Sequence, residues 1–350
     1  MNIHSFGMKD MYCEQSSACA RRQPALDVTK RKPTSCIVLL LVAAGLSGSL
    51  CPVAHAGLNS GPEYDKLLEI YNSTNGAVWT SSTNWGAGDA CGWHGIACDQ
   101  DGTPSDNTSH VTSIDLDTNN LTGYLPALTA LTNLRYFNLR LNHLTGPIPC
   151  LSTDNPCFSG LSALQTFDLQ YNQLTGPIPV LVGLTDLQYF NVQSNELTGP
   201  IPTLIGLTNL KYFDVQFNQL TDSIPDLAGL THLVFFAVTN NRLTGPVPGL
   251  TGLADLQIFD VGANQLTGPI PALTGLTSLK YFYVDNNKLT GAIPTAPATL
   301  ILAILCPNPL DTTPSANDGA WDSATGFTPW WAYPYSSNNC DDVFAGGFDG

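Results

Sequence analysis

The segment LQYFNVQSNELTGPIP, residues 187–202, is one unit of a pattern that repeats through most of the chain. Its template, LxxFxVxxNxLTGPIP, recurs with an asparagine at the same place in each copy. These asparagines are Asn119, Asn142, Asn172, Asn195, Asn218, Asn241, Asn264 and Asn287. Successive asparagines are 23 residues apart, except for one gap of 30 between Asn142 and Asn172. A constant period of this length predicts that each unit folds into the same turn and stacks on the next.

Two apolar positions of the template form columns across the units. One column consists of Leu134, Leu164, Leu187, Leu210, Leu233, Leu256 and Leu279, and the other of Phe137, Phe167, Phe190, Phe213, Phe236, Phe259 and Phe282. We interpret both columns as a stacked core. We expect the repeated asparagine to turn inward as well, where its amide can bond backbone groups that the tight bend leaves unpaired. These residues are predicted to support the fold rather than the function.

The LTGxIP motif after the asparagine resembles the plant-type leucine-rich repeat family, which includes receptor-kinase ectodomains and polygalacturonase-inhibiting proteins. The resemblance covers about Pro62 to Leu310 and includes an amino-terminal cap with Trp79, Trp85 and the run CGWHGIAC. It implies an α/β solenoid, a right-handed superhelix with a parallel β-sheet on the concave face, capped at both ends. It also implies an extracellular recognition scaffold without chemistry of its own.

The first part of the chain is typical of an export signal. Arg31 and Lys32 precede an apolar run, and Ala54-His55-Ala56 provides the small residues that a signal peptidase reads. We therefore expect cleavage before Gly57 and a stand-alone, secreted repeat protein without a membrane span in the mature chain. A signal anchor is the alternative, although the apolar run is shorter than the roughly 18 residues that a spanning helix needs.

We divide the chain into four parts. They are a leader and signal peptide over residues 1–56, an N-terminal cap with a helix and a cysteine pair over 57–110, eight clear repeats and a degenerate ninth over 111–310, and a C-terminal cap and tail over 311–350. Within the N-terminal cap, Pro62 is predicted to start the helix, and Ser60 with Glu63 could form a capping box. The extra residues of the long repeat lie in the segment CLSTDNPC, which we interpret as a tolerated loop or, alternatively, as a binding element.

The charge of the chain limits its partners. Six of the 13 basic and three of the 28 acidic side chains lie in residues 1–56, which leaves 7 basic and 25 acidic side chains and a net charge of −18. We therefore expect no nucleic-acid partner, and a polyanion or an unmodified anionic membrane is disfavoured. A basic protein partner is allowed, and acidity that keeps the surface soluble is the alternative interpretation.

The cysteines support export. Four of the ten lie in residues 1–56, and the other six form pairs by position: Cys91 with Cys98, Cys150 with Cys157, and Cys306 with Cys340. An even number of cysteines in an exported protein is typical of disulfide bonds. The chain beyond residue 56 contains no CxxC motif, so we predict no zinc site. Calcium between the oxygens of the outward strand positions is the alternative, but their spacing resembles no dedicated calcium loop, and we predict no metal or cofactor.

An outward strip between the two core columns is the first candidate binding surface. Its members are Tyr136, Thr166, Tyr189, Tyr212, Phe235, Ile258 and Tyr281. This strip is too apolar for an ordinary solvent-facing strand, and tyrosine combines apolar area with a polar tip, as binding surfaces do. The alternative is cross-strand stacking that only stabilises the sheet.

The neighbouring outward column offers hydrogen-bond acceptors. It reads Asp115, Asn138, Asp168, Asn191, Asp214, Ala237, Asp260 and Tyr283, and the next column contains Arg140, Gln170, Gln193 and Gln216. Alternation of charged and neutral acceptors avoids placing two carboxylates on adjacent strands. The predicted ligand-binding residues are Tyr136, Arg140, Asp168, Tyr189, Asn191, Tyr212, Asp214, Phe235, Asp260 and Tyr281.

Three functional hypotheses follow from these patterns. The leading one is a monomeric, non-enzymatic module that binds an extracellular protein or peptide on its concave face, as a receptor-like sensor or an enzyme inhibitor. We expect no catalysis because the sequence contains no GxSxG, P-loop or HExxH motif. The second is a binder of neutral cell-wall or cell-surface carbohydrate, for which Trp321, Trp330 and Trp331 would form an aromatic platform rather than a cap. The third, an ice-binding or purely structural solenoid, would need a flat face of repeated threonine. The threonine of LTGPIP lies beside a Gly-Pro pair, and we interpret it as turn chemistry.

Overall fold

The x-F-x segment of each repeat forms a short strand whose central residue points into the core. The computed structural model describes residues 57–99, 109–149 and 160–332. The strands of the main sheet are β1 Ile96–Cys98, β2 Val111–Asp115, β4 Tyr136–Asn138, β6 Thr166–Asp168, β8 Tyr189–Asn191, β10 Tyr212–Asp214, β12 Phe235–Ala237, β14 Ile258–Asp260, β16 Tyr281–Tyr283 and β18 Leu302–Ile304. They form one ten-stranded sheet in this order, parallel throughout except for the antiparallel pair β1 and β2. The fold is therefore the predicted leucine-rich repeat solenoid.

The phenylalanine column is a continuous stack inside the solenoid. Neighbouring rings from Phe137 to Phe282 lie 5.5 to 5.8 Å apart, centroid to centroid, and are nearly parallel. All seven rings are buried, as are the leucines of the second column. Because each ring contacts the equivalent ring of the next repeat, the core extends without a break along the solenoid.

The repeated asparagine turns inward, as predicted. In one repeat, Asn218 Nδ2 donates to the carbonyl oxygens of Val192, Val215 and Gln216 at 3.0, 3.1 and 3.1 Å. Its Oδ1 accepts from the Leu197 backbone N–H at 3.0 Å. The degenerate last repeat also has an inward asparagine, which was not recognised from the sequence. Asn308 Nδ2 donates to the Leu305 carbonyl in the same way.

A second layer of strands, which we did not predict, covers the other side of the turn. These strands are β3 Thr122–Gly123, β5 His143–Pro147, β7 Gln173–Pro177, β9 Glu196–Pro200 and β11 Gln219–Thr221, followed by β13 Thr244–Pro246, β15 Gln265–Gly268 and β17 Lys288–Leu289. The interpretation of the repeated threonines as turn residues is therefore wrong for most of them, since the inward leucine that precedes each threonine allows the segment to continue as a strand.

The register of this layer separates the threonines from one another. Adjacent strands are offset by two residues, so Thr175 pairs with Glu196 and Thr267 pairs with Lys288 rather than with the next threonine. Long charged and amide side chains consequently stand between the hydroxyl groups. The flat threonine face that the ice-binding hypothesis needs does not form on this layer.

The layer is interrupted where LTDSIP replaces LTGPIP. Asp222 occupies the usual glycine position and has a φ of 64°, close to the 75° of Gly199 and Gly245. Only an isolated bridge, Ser223 with Thr244, connects the two parts of the layer there. Aspartate therefore reproduces the required backbone conformation.

The N-terminal cap begins with helix α1, Pro62–Ser73. The predicted capping box is wrong, because Gly61 is the N-cap residue and no side chain caps the helix. Glu63 instead points to the sheet, where its carboxylate accepts from the Val111 backbone N–H at 2.8 Å and contacts His110 Nδ1 at 3.1 Å. Cys91 and Cys98 form the predicted disulfide bond.

The C-terminal end is covered by helix α2, Asp318–Thr325. Trp321 is fully buried, its indole N–H donates to the Pro294 carbonyl, and its ring lies 6.1 Å from the last phenylalanine of the stack, Phe282. Trp330 is buried too. These two indoles therefore form a cap, and the exposed aromatic platform is wrong for both of them.

The remaining cysteine predictions lie largely outside the described residues. Cys306 is buried and disulfide-bonded, but its predicted partner Cys340 is outside the described ranges, as are Cys150 and Cys157. Among the described residues, neither α1 nor α2 has the length and apolarity that a membrane-crossing helix requires.

Candidate functional site

The aromatic strip lies on the outer face of the ten-stranded sheet, with its rings stacked against each other. The ring centroids of Tyr189 and Tyr212 are 4.3 Å apart with an interplanar angle of 12°, and those of Tyr212 and Phe235 are 4.2 Å apart with an angle of 9°. Both faces of the Tyr212 ring are thus covered by neighbouring rings, as is one face each of Tyr189 and Phe235, so a partner would meet Tyr212 mainly at its ring edge. A sugar that stacks on an aromatic side chain needs an uncovered face, which the middle of this strip does not offer.

Exposure falls from the N-terminal end of the strip towards its middle. Tyr136 is 36% exposed, Tyr189 and Tyr212 are partly buried, and Phe235 is only 7% exposed. Tyr281, near the other end, is partly buried and lies 6.4 Å from the Tyr283 ring. The strip is therefore partly a stabilising stack and most accessible at Tyr136.

The neighbouring acceptor column is buried rather than open to a ligand. Asp168, Asn191, Asp214 and Asp260 are all less than one tenth exposed. Each uses its Oδ1 to accept from the backbone N–H two residues later, at 3.0 to 3.1 Å. This bond ends the strand by turning the chain, so these acceptors already have a structural role.

Tyrosine hydroxyls of the strip bond to this column and hold it in place. Tyr212 Oη donates to Asp214 Oδ2 at 2.9 Å, and Tyr189 Oη accepts from Asn191 Nδ2 at 3.0 Å. Two columns that the sequence suggested as separate binding features are thus one hydrogen-bonded layer. This layer forms the floor of the candidate site.

Burial has a marked effect on the acids of the floor. It raises the pKa of Asp168 and of Asp214 to about 6, although both accept hydrogen bonds that act in the opposite direction. Burial also raises the pKa of Asp260, to about 7. The hydrogen bond from the Gly262 N–H lowers this pKa, and the negative charge of Asp285 raises it further. Asp168 and Asp214 receive side-chain bonds from Gln170 and Gln216, respectively. Gly262 occupies the equivalent position beside Asp260, whose side-chain hydrogen-bond partner is Thr239.

A column of exposed and partly exposed residues next to the floor was not predicted from the sequence. The residue before each repeated asparagine has a positive φ, and the members are Thr118, Leu141, Tyr171, Ser194, Phe217, Asn240, Ala263 and Asn286. We call them the rim column. Leu141, Tyr171 and Phe217 have φ of 53°, 54° and 52° and are 45%, 49% and 46% exposed. A left-handed conformation costs a bulky residue on the order of 1 to 2 kcal/mol, so large apolar side chains are unusual here.

The rim residues of the N-terminal half form a continuous edge. The Leu141 N–H donates to the Gln170 carbonyl and the Tyr171 N–H to the Gln193 carbonyl, both at 3.0 Å, so successive repeats hold these residues side by side. Tyr171 and Phe217 flank Ser194, roughly 10 Å apart at the usual strand spacing. The sequence does show bulky residues directly before the repeated asparagine. It does not show that their side chains are exposed.

Arg140 adds the positive charge of this region. Its Nε donates to Asp117 Oδ2 at 3.2 Å, and both side chains remain substantially exposed. Tyr136 lies four residues earlier in the same repeat, and Leu141 follows directly. We call the exposed set Tyr136, Arg140, Leu141, Tyr171 and Phe217 the recognition surface. Of the predicted ligand-binding residues, it contains Tyr136 and Arg140, while the others form the floor or lie farther along the sheet.

Comparison with known proteins relates this geometry to plant receptors. Residues 163–184 match the family model Leucine Rich Repeat, and residues 206–224 match the model Leucine Rich repeat. The chain is 38% identical over 88 residues to a nodulation receptor kinase of Pisum sativum, covering 24% of this chain and 8% of the kinase.

Solved structures of receptor ectodomains share the fold. The ectodomain of the Arabidopsis thaliana receptor kinase GASSHO1/SCHENGEN3, in complex with CASPARIAN STRIP INTEGRITY FACTOR 2, is 25% identical with a TM-score of 0.55, covering 71% of this chain and 36% of that one. The plant peptide hormone receptor RGFR1, in complex with RGF2, is 32% identical with a TM-score of 0.50, covering 55% and 31%. This chain thus spans a small part of the receptor kinase and about a third of each ectodomain.

Proposed function

We propose that this chain, a leucine-rich repeat solenoid similar to plant receptor ectodomains, is a recognition module that binds an extracellular protein or peptide on its concave face. The observation that carries the proposal is the recognition surface, where large apolar side chains are held exposed in a left-handed backbone conformation. Strained backbone conformations cluster at functional sites, and exposed apolar side chains next to each other mark surfaces that bind a partner. The module acts as a receptor-like sensor or as an inhibitor, without a catalytic step.

The composition of the surface favours a polypeptide partner. Tyrosine and arginine are enriched among the residues that dominate binding energy at protein interfaces, and phenylalanine is enriched at the centre of such interfaces. The similar structure of RGFR1 is that of a plant peptide hormone receptor in complex with RGF2. Carbohydrate binding is less well supported, because stacked neighbours cover both ring faces of Tyr212 and one ring face each of Tyr189 and Phe235. The proposal includes export directed by residues 1–56 and a monomeric mature chain.

The proposal is tested by capture of a partner. Mature protein, residues 57–350, is immobilised and exposed to extracellular material, with and without protease treatment of that material. The test variant carries Leu141→Ser, Tyr171→Ser and Phe217→Ser. The matched control carries Val180→Ser, Val182→Ser and Ile205→Ser, which removes apolar side chains of similar or greater exposure from the segments between the sheets.

The expected result is protease-sensitive capture that falls at least about tenfold in the test variant and persists in the control, as expected when interface hot spots are truncated. Thermal unfolding of both variants is measured to confirm that they fold. Capture that resists protease and is competed by sugars would establish the carbohydrate alternative. Equal capture by the two variants would place the site elsewhere.

A further inference from the structure

The residues that directly precede strands β4 to β18 of the main sheet, with Thr112 at the equivalent position inside β2, form a row beside the aromatic strip. Its members are Thr112, Arg135, Gln165, Gln188, Lys211, Val234, Gln257, Lys280 and Ile301. Backbone hydrogen bonds join consecutive members: the Lys211 N–H donates to the Gln188 carbonyl at 2.9 Å, and the Val234 N–H to the Lys211 carbonyl at 2.8 Å. We call this set the cation row. It contains three basic residues and no acidic one.

The three cations are not neutralised by acids within the described part of the chain. Arg135, Lys211 and Lys280 are exposed, and the ion pairs found there involve Lys66, His110, Arg140 and His232 instead. Lys211 Nζ donates to the neutral amide of Gln188 at 3.0 Å, and Lys280 Nζ to that of Gln257 at 3.2 Å. Neutral amide groups therefore position the ammonium groups of Lys211 and Lys280 without cancelling their positive charge.

This local charge contrasts with that of the whole chain. Beyond residue 56 there are only 7 basic side chains against 25 acidic ones, and three of the seven lie in the cation row. The nearest acids in sequence, Asp186 and Asp255, precede Gln188 and Gln257 by two residues, and Asp255 pairs with His232 at 3.5 Å. Among the described residues, no ion pair joins Asp186 or Asp255 to a cation of the row.

The spacing of the cations fits an extended polypeptide. Arg135 and Lys211 are three strands apart, as are Lys211 and Lys280, which corresponds to about 14 Å per interval at the usual strand spacing. Four residues of an extended chain span about 13 to 14 Å, and every second side chain points to the same side. Carboxylates at every fourth residue would therefore reach all three cations.

We infer that the cation row binds an extended acidic segment of the partner, which runs along the solenoid and places carboxylates on Arg135, Lys211 and Lys280. This inference rests on the proposed function and adds the chemistry of the partner. Neutral residues separate the cations, so a polyuronate with a carboxylate on every sugar would leave most of its charges against amides and Val234. A sparse pattern of acidic residues fits the row better.

The experiment uses fluorescein-labelled nonapeptides and mature protein. The first peptide has glutamate at positions one, five and nine, leucine at three and seven, and serine elsewhere; the second has glutamine in place of glutamate; the third has its glutamates adjacent. The row variant carries Arg135→Gln, Lys211→Gln and Lys280→Gln. The control variant, with the same change in net charge, carries Lys66→Gln, Arg242→Gln and Lys288→Gln.

We expect the spaced glutamate peptide to bind the wild type about tenfold more tightly than the glutamine peptide, since each exposed ion pair contributes modestly. The row variant should lose this difference, and the control variant should keep it. Added salt should weaken the binding. The inference would be overturned if the wild type did not prefer the spaced glutamate peptide to the glutamine peptide and to the peptide with adjacent glutamates. It would also be overturned if both variants lost this preference equally. An oligogalacturonate that competes and outbinds the peptide at the row would assign the row to a polyuronate instead.

The two proposals can fail separately. If the row variant captures the extracellular partner normally while the variant of Leu141, Tyr171 and Phe217 does not, the proposed function stands and the acidic segment is refuted. If the wild type captures no protease-sensitive partner, the proposed function fails even when the spaced peptide binds.

Discussion

At the residue scale, two sets of amide and acid side chains have different structural roles. The repeated asparagines satisfy backbone groups inside the turn, as the bonds of Asn218 to three carbonyls show. The acceptor column ends each strand through a bond to the backbone N–H two residues later, as at Asp260. The first set is amide throughout because both donors and acceptors must be satisfied, whereas the second alternates between aspartate and asparagine because only an acceptor is required.

Replacement of one repeated asparagine should destabilise the protein measurably. Asn218→Ala leaves three carbonyls and the Leu197 N–H without this partner in a buried site, and the expected loss is about 1 to 3 kcal/mol or more in free energy of unfolding. The control is Asn209→Ala, which removes an exposed side chain with one bond, to the Thr185 carbonyl. Urea unfolding followed by circular dichroism gives both values, and equal losses would contradict the assigned role.

The buried acids should make the protein more stable in mild acid. Because the pKa of Asp260 in the folded chain is about 7, against about 3.9 in an unfolded chain, the folded form binds a proton that the unfolded form lacks between these values. The stabilisation is fully present below about pH 4 and is lost as the pH rises through about 7. Asp168 and Asp214 act in the same direction at about pH 6.

Asp260→Asn tests this pH dependence. Asparagine occurs in the same column at Asn191, where it accepts from the Gln193 N–H at 3.0 Å, so the strand end should be retained. At pH 7.5 we expect the variant to be more stable than the wild type by on the order of 1 to 4 kcal/mol, at about 1.4 kcal/mol per pKa unit, with little difference near pH 4. Asp226→Asn, an exposed acid that accepts from the Ala228 N–H, is the control. An unchanged pH profile in Asp260→Asn would refute the assignment.

At the element scale, the second layer of strands depends on one backbone conformation. The residue after each threonine has a positive φ, which glycine adopts in seven repeats, from Gly123 to Gly291, and Asp222 in one. Glycine has no Cβ to clash in this conformation, and aspartate tolerates it better than most residues. The layer is interrupted at Asp222 and Ser223, which replace Gly and Pro, although Asp222 keeps the positive φ.

Asp222→Val should be clearly destabilising, because a β-branched residue does not fit a positive φ. The expected loss is about 1 to 2 kcal/mol, whereas Asp222→Gly should stay within about 1 kcal/mol of the wild type. Glu196→Val is the control, since it places valine on an exposed strand position of the same layer. Thermal unfolding compares the three variants, and a valine variant as stable as wild type would show that the conformation is not required.

At the scale of the whole molecule, the solenoid is a row of nearest-neighbour contacts closed at each end. Tyr71, Trp79 and Trp85 cluster in the N-terminal cap with ring centroids 4.8 to 5.7 Å apart. Trp321 covers the other end of the phenylalanine stack at Phe282. Without such caps, the terminal repeats would expose an apolar cross-section to water.

Removal of the C-terminal cap should loosen the molecule from that end. Trp321→Ala deletes a fully buried side chain, for which a loss of about 3 to 5 kcal/mol is expected. Hydrogen exchange should rise in residues 258–310 and remain low in residues 187–215, because repeats contact mainly their neighbours. Trp331→Ala, at a partly buried position, is the control. A uniform rise along the chain would instead indicate that the solenoid unfolds as one unit.

The amino-acid sequence alone determined the solenoid, its core columns and the inward asparagines. A period of 23 residues places equivalent positions of successive units side by side. An inward residue such as Phe213 therefore contacts the equivalent residues of the two neighbouring repeats. The disulfide between Cys91 and Cys98 was also predictable, because seven residues separate the two cysteines. These features depend on local pattern, which the period copies along the chain.

Only the tertiary structure decided which outward residues a partner can reach. Asp214 and Tyr171 both occupy outward positions of the repeat, yet Asp214 is completely buried under its neighbours and Tyr171 is about half exposed. Exposure depends on the size and orientation of side chains one repeat away, across a gap of about 4.8 Å. For the same reason the covered ring faces, the rim column and the local charge of the cation row emerge only when the repeats are stacked.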